Sequence, residues 1–143
     1  MAESSLLIRP FKEGDEEALV SLWNMCKLSV PWNKPYKDIA RKLKVQSEFF
    51  LMGYLEDKLI ASIMAGYDGH LGWINYFAVH PDFKSRGYGK HLMDNVENKL
   101  HELGCPKINL QIREVNDKVL SYYQKLGFVE GKRINMGKRI EDD

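Results

Sequence analysis

Val79-His80-Pro81-Asp82-Phe83-Lys84-Ser85-Arg86-Gly87-Tyr88-Gly89-Lys90-His91 joins an apolar run to an amphipathic one through a basic loop with two glycines. The residues before it, Trp73 to Val79, are rich in aromatic and β-branched side chains. They predict a strand, and Pro81 ends its hydrogen-bond ladder. Beyond the loop, Leu92, Val96, Leu100 and Leu103 recur at helical spacing, and Gly104 with Pro106 makes a stop. The helix therefore begins inside the glycine loop, at about Gly89. Its first turn leaves unpaired N–H groups at the positive end of the helix dipole, and Gly87 and Gly89 remove the Cβ atoms that would hold a phosphate away. Lys84, Arg86 and Lys90 add positive charge. The stretch has the makings of a diphosphate cradle, although a tight turn before a helix also favours glycine and basic residues.

Two well-known phosphate loops do not fit. A Walker A loop needs glycine where Lys84 stands and Ser or Thr where His91 stands, and the dinucleotide fingerprint needs a third glycine at Leu92. The whole chain sets further bounds. Its 143 residues, 44% hydrophobic and 29% charged, suit a single domain, 1–143, with a real core. A net charge of +1 gives no overall field that would draw the chain to nucleic acid or an anionic membrane. The N-terminus is polar, and no apolar run approaches membrane-spanning length, so a cytoplasmic protein is expected. Cys26 and Cys105 lack CxxC spacing and are expected to be free, mostly buried thiols. His70, His80, His91 and His101 have no HExxH or other close ligand spacing, so no metal is called for.

Taken in order, Leu6 to Phe11 predict a strand, and Asp15 can cap a helix with an apolar face of Leu19, Leu22, Trp23 and Cys26. Pro31 and Pro35 bracket an ordered loop carrying Trp32. A second helix, Tyr36 to Val45, places Ile39 and Leu43 on one side and the solvated charges Lys37, Arg41 and Lys44 elsewhere. Phe49 to Leu55 and Leu59 to Met64 form an antiparallel hairpin through Glu56-Asp57-Lys58. The glycine-rich connection Gly66 to Gly72 leads into the strand before the loop, so the centre is a meander. After the loop helix, Lys107 to Ile112 alternates as a strand with two unlike faces. Asn116 caps a last helix, with Val119, Leu120, Tyr123 and Leu126 inward and Gly127 as its stop. Phe128-Val129 and Ile134 to Ile140 complete a closing hairpin. The order β-α-α-β-β-β-α-β-α-β-β gives an α/β fold of the mixed, α+β kind: a mostly antiparallel sheet with helices on both faces.

That order, over about Leu6 to Ile140, resembles the GCN5-related N-acetyltransferases, the GNAT family. Lys84-Ser85-Arg86-Gly87-Tyr88-Gly89 is similar to the family's Arg/Gln-x-x-Gly-x-Gly/Ala loop, with Lys84 keeping a charge but losing the planar fork of arginine. Asn116 followed by Tyr123-Gln124-Lys125-Leu126-Gly127-Phe128 is similar to the family's Asn…Tyr-x-x-Leu-Gly-Phe ending. Pro31-Trp32-Asn33, Gly66 to His70, Gly104 to Ile108 and Gly137 to Glu141 further resemble the small bacterial YpeA-like branch.

The resemblance implies acetyl-coenzyme A (acetyl-CoA) as donor and a small-molecule or protein amine as acceptor, with direct attack and no acyl-enzyme. The lack of a Gly-x-Ser-x-Gly elbow agrees with this. It further implies that amides of Arg86, Gly87, Tyr88, Gly89 and Lys90 hold the pyrophosphate, with Lys84 and Asn116 contributing to the cofactor site. Backbone groups of Phe77, Ala78 and Val79 would receive the pantetheine arm as an added strand. One amide, of Phe77 or Val79, would polarise the thioester carbonyl and stabilise the oxyanion. Tyr123 becomes the candidate acid for the leaving thiolate and a cofactor contact, although periodicity alone makes it part of the Val119/Leu126 stripe; Tyr122 lies one position round the helix. Asp68, His70, Glu114 or a water chain could take the acceptor's proton, while Asp68 and Gly69 are equally what a turn requires. Trp32, Tyr67 and Asp68 are expected at the acceptor pocket. A non-catalytic acetyl-CoA sensor is the alternative, and a homodimer is left open.

Overall fold

The computed structural model describes residues 5–28, 34–112 and 117–142. They belong to two compact units, Met1–Leu110 and Gln111–Asp143. The first contains β1 (Leu7–Pro10), α1 (Glu16–Met25), α2 (Pro35–Lys42), β2 (Phe50–Leu55), β3 (Lys58–Tyr67), β4 (Gly72–Val79), α3 (Tyr88–Glu102) and β5 (Ile108–Leu110), with 3₁₀ turns at Ser47–Phe49 and Pro81–Phe83. Its sheet has the order β1-β2-β3-β4-β5; neighbours among the first four are antiparallel, and β5 runs parallel to β4. The expected meander and mixed sheet are both present.

β2 and β3 are apolar along nearly their whole length because both faces of the sheet are covered. On one face α1 and α2 bury Leu19, Leu22, Trp23 and Ile39 against Phe50, Met52 and Met64. Trp23 and Phe11 stack on Phe50, with ring centroids 6.5 and 5.1 Å away. Leu51, Ala61 and Ile63 alternate to the opposite face and are fully buried. There α3, packed on β3 and β4, buries Leu92, Met93, Val96 and Leu100. Leu103, expected in that stripe, is exposed, because it is the C-cap at which the helix turns away. Gly104, with φ of 89°, closes a Schellman turn in which its N–H donates to His101 O and that of Cys105 to Leu100 O. Leu43 is likewise exposed, whereas Lys37, Arg41 and Lys44 lie on the solvated face as expected.

Asp15 departs from its expected role. It occupies the N-cap position of α1, but its carboxylate makes no cap hydrogen bond. It accepts two bonds from the Arg9 guanidinium, at 2.8 and 3.0 Å, one from Lys12 N–H and one from Tyr54 Oη. Burial pushes this carboxyl up, but the four donated bonds outweigh it and hold the pKa at about 2, below the ordinary 3.8. A lowered folded-state pKa contributes stability that is complete above the unfolded value and is lost as pH falls from about 4 towards 2. That contribution is about 2 kcal/mol. The urea midpoint of the wild type should fall over this window, and Asp15→Asn should be less stable at pH 7 with a flatter profile below pH 4.

β3 outruns β2 by three residues, since Phe50 pairs with Met64 and no β2 residue faces Ala65–Tyr67. Side chains from and after α2 take up the backbone groups left over. Lys42 Nζ donates to Ala65 O, Gln46 Nε2 donates to Tyr67 O, and Tyr67 N–H donates to Gln46 Oε1. Gly66 keeps this seam open, because a Cβ there would stand 3.0 Å from Gln46 Oε1 and 3.3 Å from Lys42 Nζ.

The second unit contains α4 (Asp117–Lys125). Gly127, with φ of 98°, ends it in another Schellman turn, where Gly127 N–H donates to Gln124 O and Phe128 N–H to Tyr123 O. Leu120, Tyr123 and Leu126 are half-buried as expected, while Val119 is exposed. Asn116 lies outside the described residues. The expected closing hairpin is not formed, since residues 128–142 carry no strand and Val129, Ile134, Met136 and Ile140 are 88–94% exposed. Their alternation with charged residues is strand-like, but an isolated two-stranded ribbon with no apolar face to cover is marginal in water.

Candidate active site

The register between β3 and β4 slips in the middle. Ser62 faces Ala78 and Met64 faces Asn75, so Tyr76 and Phe77 together oppose Ile63 as a β-bulge. Tyr76 has φ of 50°, a left-handed conformation costing a non-glycine residue about 1–2 kcal/mol. Contacts with Trp23, Ser62 and Asp38 help to hold it. Its ring stacks on Trp23 with centroids 3.8 Å apart, its carbonyl accepts from Ser62 Oγ at 3.1 Å, and its hydroxyl donates to Asp38 Oδ2 at 2.6 Å. Ser62 is itself fixed by Trp23 Nε1, which donates to it at 3.0 Å. The pairing of β4 with β5 covers Gly72–Ile74. Phe77, Ala78 and Val79 therefore lie past the end of the parallel ladder. Cys26, half-buried, donates its thiol to Val79 O at 3.3 Å; burial pushes that thiol's pKa up.

β4 runs into the basic loop through His80, which is buried; its N–H donates to Ile60 O and its Nδ1 accepts from Asp82 N–H. An accepting Nδ1 places the neutral imidazole's proton on Nε2. Ser85 (φ 64°) and Gly87 (φ 85°) are both left-handed, and Gly87 is the N-cap of α3. The first amide closed into that helix is His91 N–H, onto Gly87 O, so those of Tyr88, Gly89 and Lys90 have no intrahelical acceptor. A Cβ on Gly87 would meet no protein atom within 4 Å, so this position faces open space. Such alternating backbone at a helix N-terminus suits an anion. Tyr88 and Gly89 are buried and seat the turn on the core.

The cations differ in what they do. The Arg86 guanidinium lies 5.4 Å from the Phe83 ring centroid, as does Lys58 Nζ. With Tyr88 and the β2–β3 turn they line a surface hollow of about 610 Å³. Lys90 is paired with Asp94 at 2.8 Å along the helix surface, so its charge is already partly matched.

Asp68, His70 and Tyr67 are brought together in the β3–β4 connection. Asp68 Oδ1 accepts from the N–H groups of both His70 and Leu71 at 2.8 Å, and Oδ2 accepts from Trp73 Nε1 at 3.3 Å. The Leu71 and His70 amides lower its pKa. Its carboxylate thus organises its own turn, and lowered basicity makes it a weaker proton acceptor. Tyr67 Oη donates to Gly69 O, closing the same loop, and His70 is exposed. Trp32 and Glu114 lie outside the described residues. Tyr123, within its own unit, packs edge-on against Tyr122 and Phe128 at 5.6 and 5.7 Å. Burial, with a smaller effect of Tyr122, pushes its phenol up to about 12.

Sequence reasoning missed Tyr76, Asp38 and Ser62. Nothing local marks a tyrosine for a left-handed bulge, and Asp38 looks like one more polar residue on a helix. The one available signal was Trp23, an indole on a core stripe whose N–H needed a buried partner.

The Acetyltransferase (GNAT) family matches residues 16–128. An acetyltransferase of Pectobacterium atrosepticum is 44% identical over 136 residues, covering 95% of this chain and 96% of the relative. Among solved structures, Ard1 from Thermoplasma volcanium aligns with a TM-score of 0.72 at 24% identity, covering 87% of this chain and 82% of its own. AAC(6')-Iy in complex with the bisubstrate analogue CoA-S-monomethyl-acetylneamine aligns with a TM-score of 0.73 at 19% identity, covering 95% and 99%. At these identities the structural likeness is one of fold. No helix among the described residues is long and apolar enough to cross a membrane.

Proposed function

The chain belongs to the Acetyltransferase (GNAT) family, and from that premise we propose that it transfers an acetyl group from acetyl-CoA directly to a primary amine. The observation that carries the assignment is the continuous run from the strained β4 bulge to the left-handed Gly87 turn that opens α3. The β4–β5 ladder ends at Ile74, before Phe77, and the turn offers helix amides to an anion with open space beside them. A long ligand with an amide-bearing arm and a diphosphate suits both. The solved complex of AAC(6')-Iy with a CoA-containing bisubstrate analogue supports the idea that this fold can carry such a ligand.

When bound, acetyl-CoA supplies an activated acetyl group as a thioester. The chain's own contributions are then specific. Amides of Arg86 to Lys90, with the Lys84 and Arg86 charges, bind the diphosphate, and charge-assisted hydrogen bonds of this kind contribute about 1.5–3 kcal/mol each. Backbone of Phe77, Ala78 and Val79 orients the arm, and one amide there polarises the acyl oxygen. Tyr123 Oη donates a hydrogen bond to the departing sulfur. Asn116 is assigned to the cofactor, and Trp32 and Tyr67 to the acceptor side. For Asp68 and His70 the proposed role is narrower than proton acceptance alone, because the Asp68 carboxylate is engaged by its own turn. They shape the acceptor loop.

Calorimetric titration with acetyl-CoA and with CoA, followed by thiol release in the presence of a panel of primary amines, tests the assignment. Micromolar binding and amine-dependent thiol release are expected. Binding without turnover would favour an acetyl-CoA sensor, and no binding would overturn both.

A further inference from the structure

We propose that Asp38, held by the Tyr76 hydroxyl at the β4 bulge, is the carboxylate that receives the ammonium group of the acceptor. This rests on the acetyltransferase assignment and adds an acceptor-recognising residue that lies on α2, away from the glycine-rich β3–β4 connection.

The two oxygens of Asp38 are unequally served. Oδ2 accepts the Tyr76 hydroxyl at 2.6 Å, and that phenol is itself immobilised by its ring stack on Trp23 and by Ser62 beneath its carbonyl. Among the described residues Oδ1 meets the Arg41 guanidinium at 3.4 Å, longer than the 2.7–2.9 Å typical of a charge-assisted bond. Both groups are open to solvent, with 29% of the Asp38 side chain and 51% of the Arg41 side chain exposed. One oxygen is thus fixed in place while the other makes a long contact that is open to solvent. That open side of the carboxylate is where a substrate ammonium could bind.

Position strengthens the case. Tyr76 immediately precedes Phe77, so the carboxylate is anchored to the residue adjoining the backbone assigned to the acyl group, and consecutive Cα atoms are about 3.8 Å apart. Strain at a bulge is tolerated where surrounding structure enforces it, and such sites tend to be functional. The other carboxylates of this unit discussed above are occupied: Asp15 holds Arg9, Tyr54 and a backbone amide, and Asp68 holds two amides and an indole. Lys42, one turn beyond Asp38, does not compete for it, because its ammonium is drawn to Ala65 O.

The test uses the full chain and the most active amine from a panel of an n-alkylamine, a diaminoalkane, an aminosugar, an N-terminal-glycine peptide and a lysine peptide. Asp38→Asn keeps an oxygen for the Tyr76 hydroxyl but removes the charge. It should raise KM for the amine about 10–100-fold, the loss expected for one charge-assisted contact, with a smaller change in kcat. Acetyl-CoA affinity should be unchanged, and Asp38→Glu should recover part of the loss. Arg41→Ala removes the competing cation and should lower KM for the amine, which provides a readout should Asp38→Asn fold poorly. Unchanged amine KM in Asp38→Asn, or in Arg41→Ala, overturns the inference, as does a wild type that binds acetyl-CoA but acetylates no amine of the panel. Failure of acetyl-CoA binding would instead overturn the acetyltransferase assignment.

Discussion

Gly87→Val should weaken acetyl-CoA binding by about 10²–10⁴-fold, the equivalent of losing two charge-assisted hydrogen bonds. Two physical effects act together. Gly87 has φ of 85°, which a β-branched residue resists, so the turn would relax and rotate its amides away from a shared focus. The new Cβ would also project into space that holds no protein atom within 4 Å, the space assigned to the diphosphate. Because that side is open, the substitution creates no clash within the protein, and the folded state should persist with only the strain of the turn as its cost. Calorimetry with acetyl-CoA, beside a thermal melt, separates lost binding from lost fold. Gly89 is a less discriminating position, since it is buried in the first turn of α3 and a large side chain there would disturb packing as well as the cradle. Wild-type affinity in a folded Gly87→Val would show that the left-handed turn does not contact the ligand.

The glycine turn that opens α3 was legible in the sequence because its determinants are local. Glycine at a helix start and a leucine and valine repeat at 92, 96 and 100 need no knowledge of the rest of the chain. β3 was read three residues short, ending at Met64 rather than Tyr67, because its last part is completed by the side chains of Lys42 and Gln46 rather than by a strand. Asp15 carried a valid capping signal, which lost to a guanidinium on β1 that offered two bonds where a cap offers one. The closing hairpin had the right alternation but, within its unit, no apolar surface to cover. The bulge was illegible for a stronger reason. A tyrosine with positive φ contradicts its own local preference, and residues distant in sequence, Trp23, Ser62 and Asp38 among them, enforce it. Hence the turn proposed for the donor follows from neighbouring residues, whereas the carboxylate proposed for the acceptor depends on a contact between α2 and β4.

Tyr123→Phe should lower the rate of acetyl transfer by about 10²–10⁴-fold with little change in acetyl-CoA affinity. Phenylalanine keeps the edge-on packing with Tyr122 and Phe128 and deletes only the hydroxyl, so a thermal melt should remain near that of the wild type. The direction of the pKa shift defines what the hydroxyl does. Burial, then Tyr122, raises it to about 12, so it is protonated throughout the working range and contributes no alkaline limb to the pH profile below that value. An ordinary thiol ionises at about 8.5, which makes complete proton transfer from Tyr123 to a free thiolate uphill. In the proposed reaction the phenol acts by donating a hydrogen bond as charge develops on sulfur, and the proton that finally neutralises the thiolate comes from solvent. This has a chemical consequence separate from the rate itself. An acyl donor with a more acidic thiol develops a charge that needs less help, so the Tyr123→Phe penalty should shrink with an aryl thioester relative to an alkyl one. Tyr122→Phe should leave both donors unaffected. Equal penalties for the two donors would assign Tyr123 to packing, and an unchanged rate would remove it from the reaction and direct attention to Tyr122, one position round the same helix.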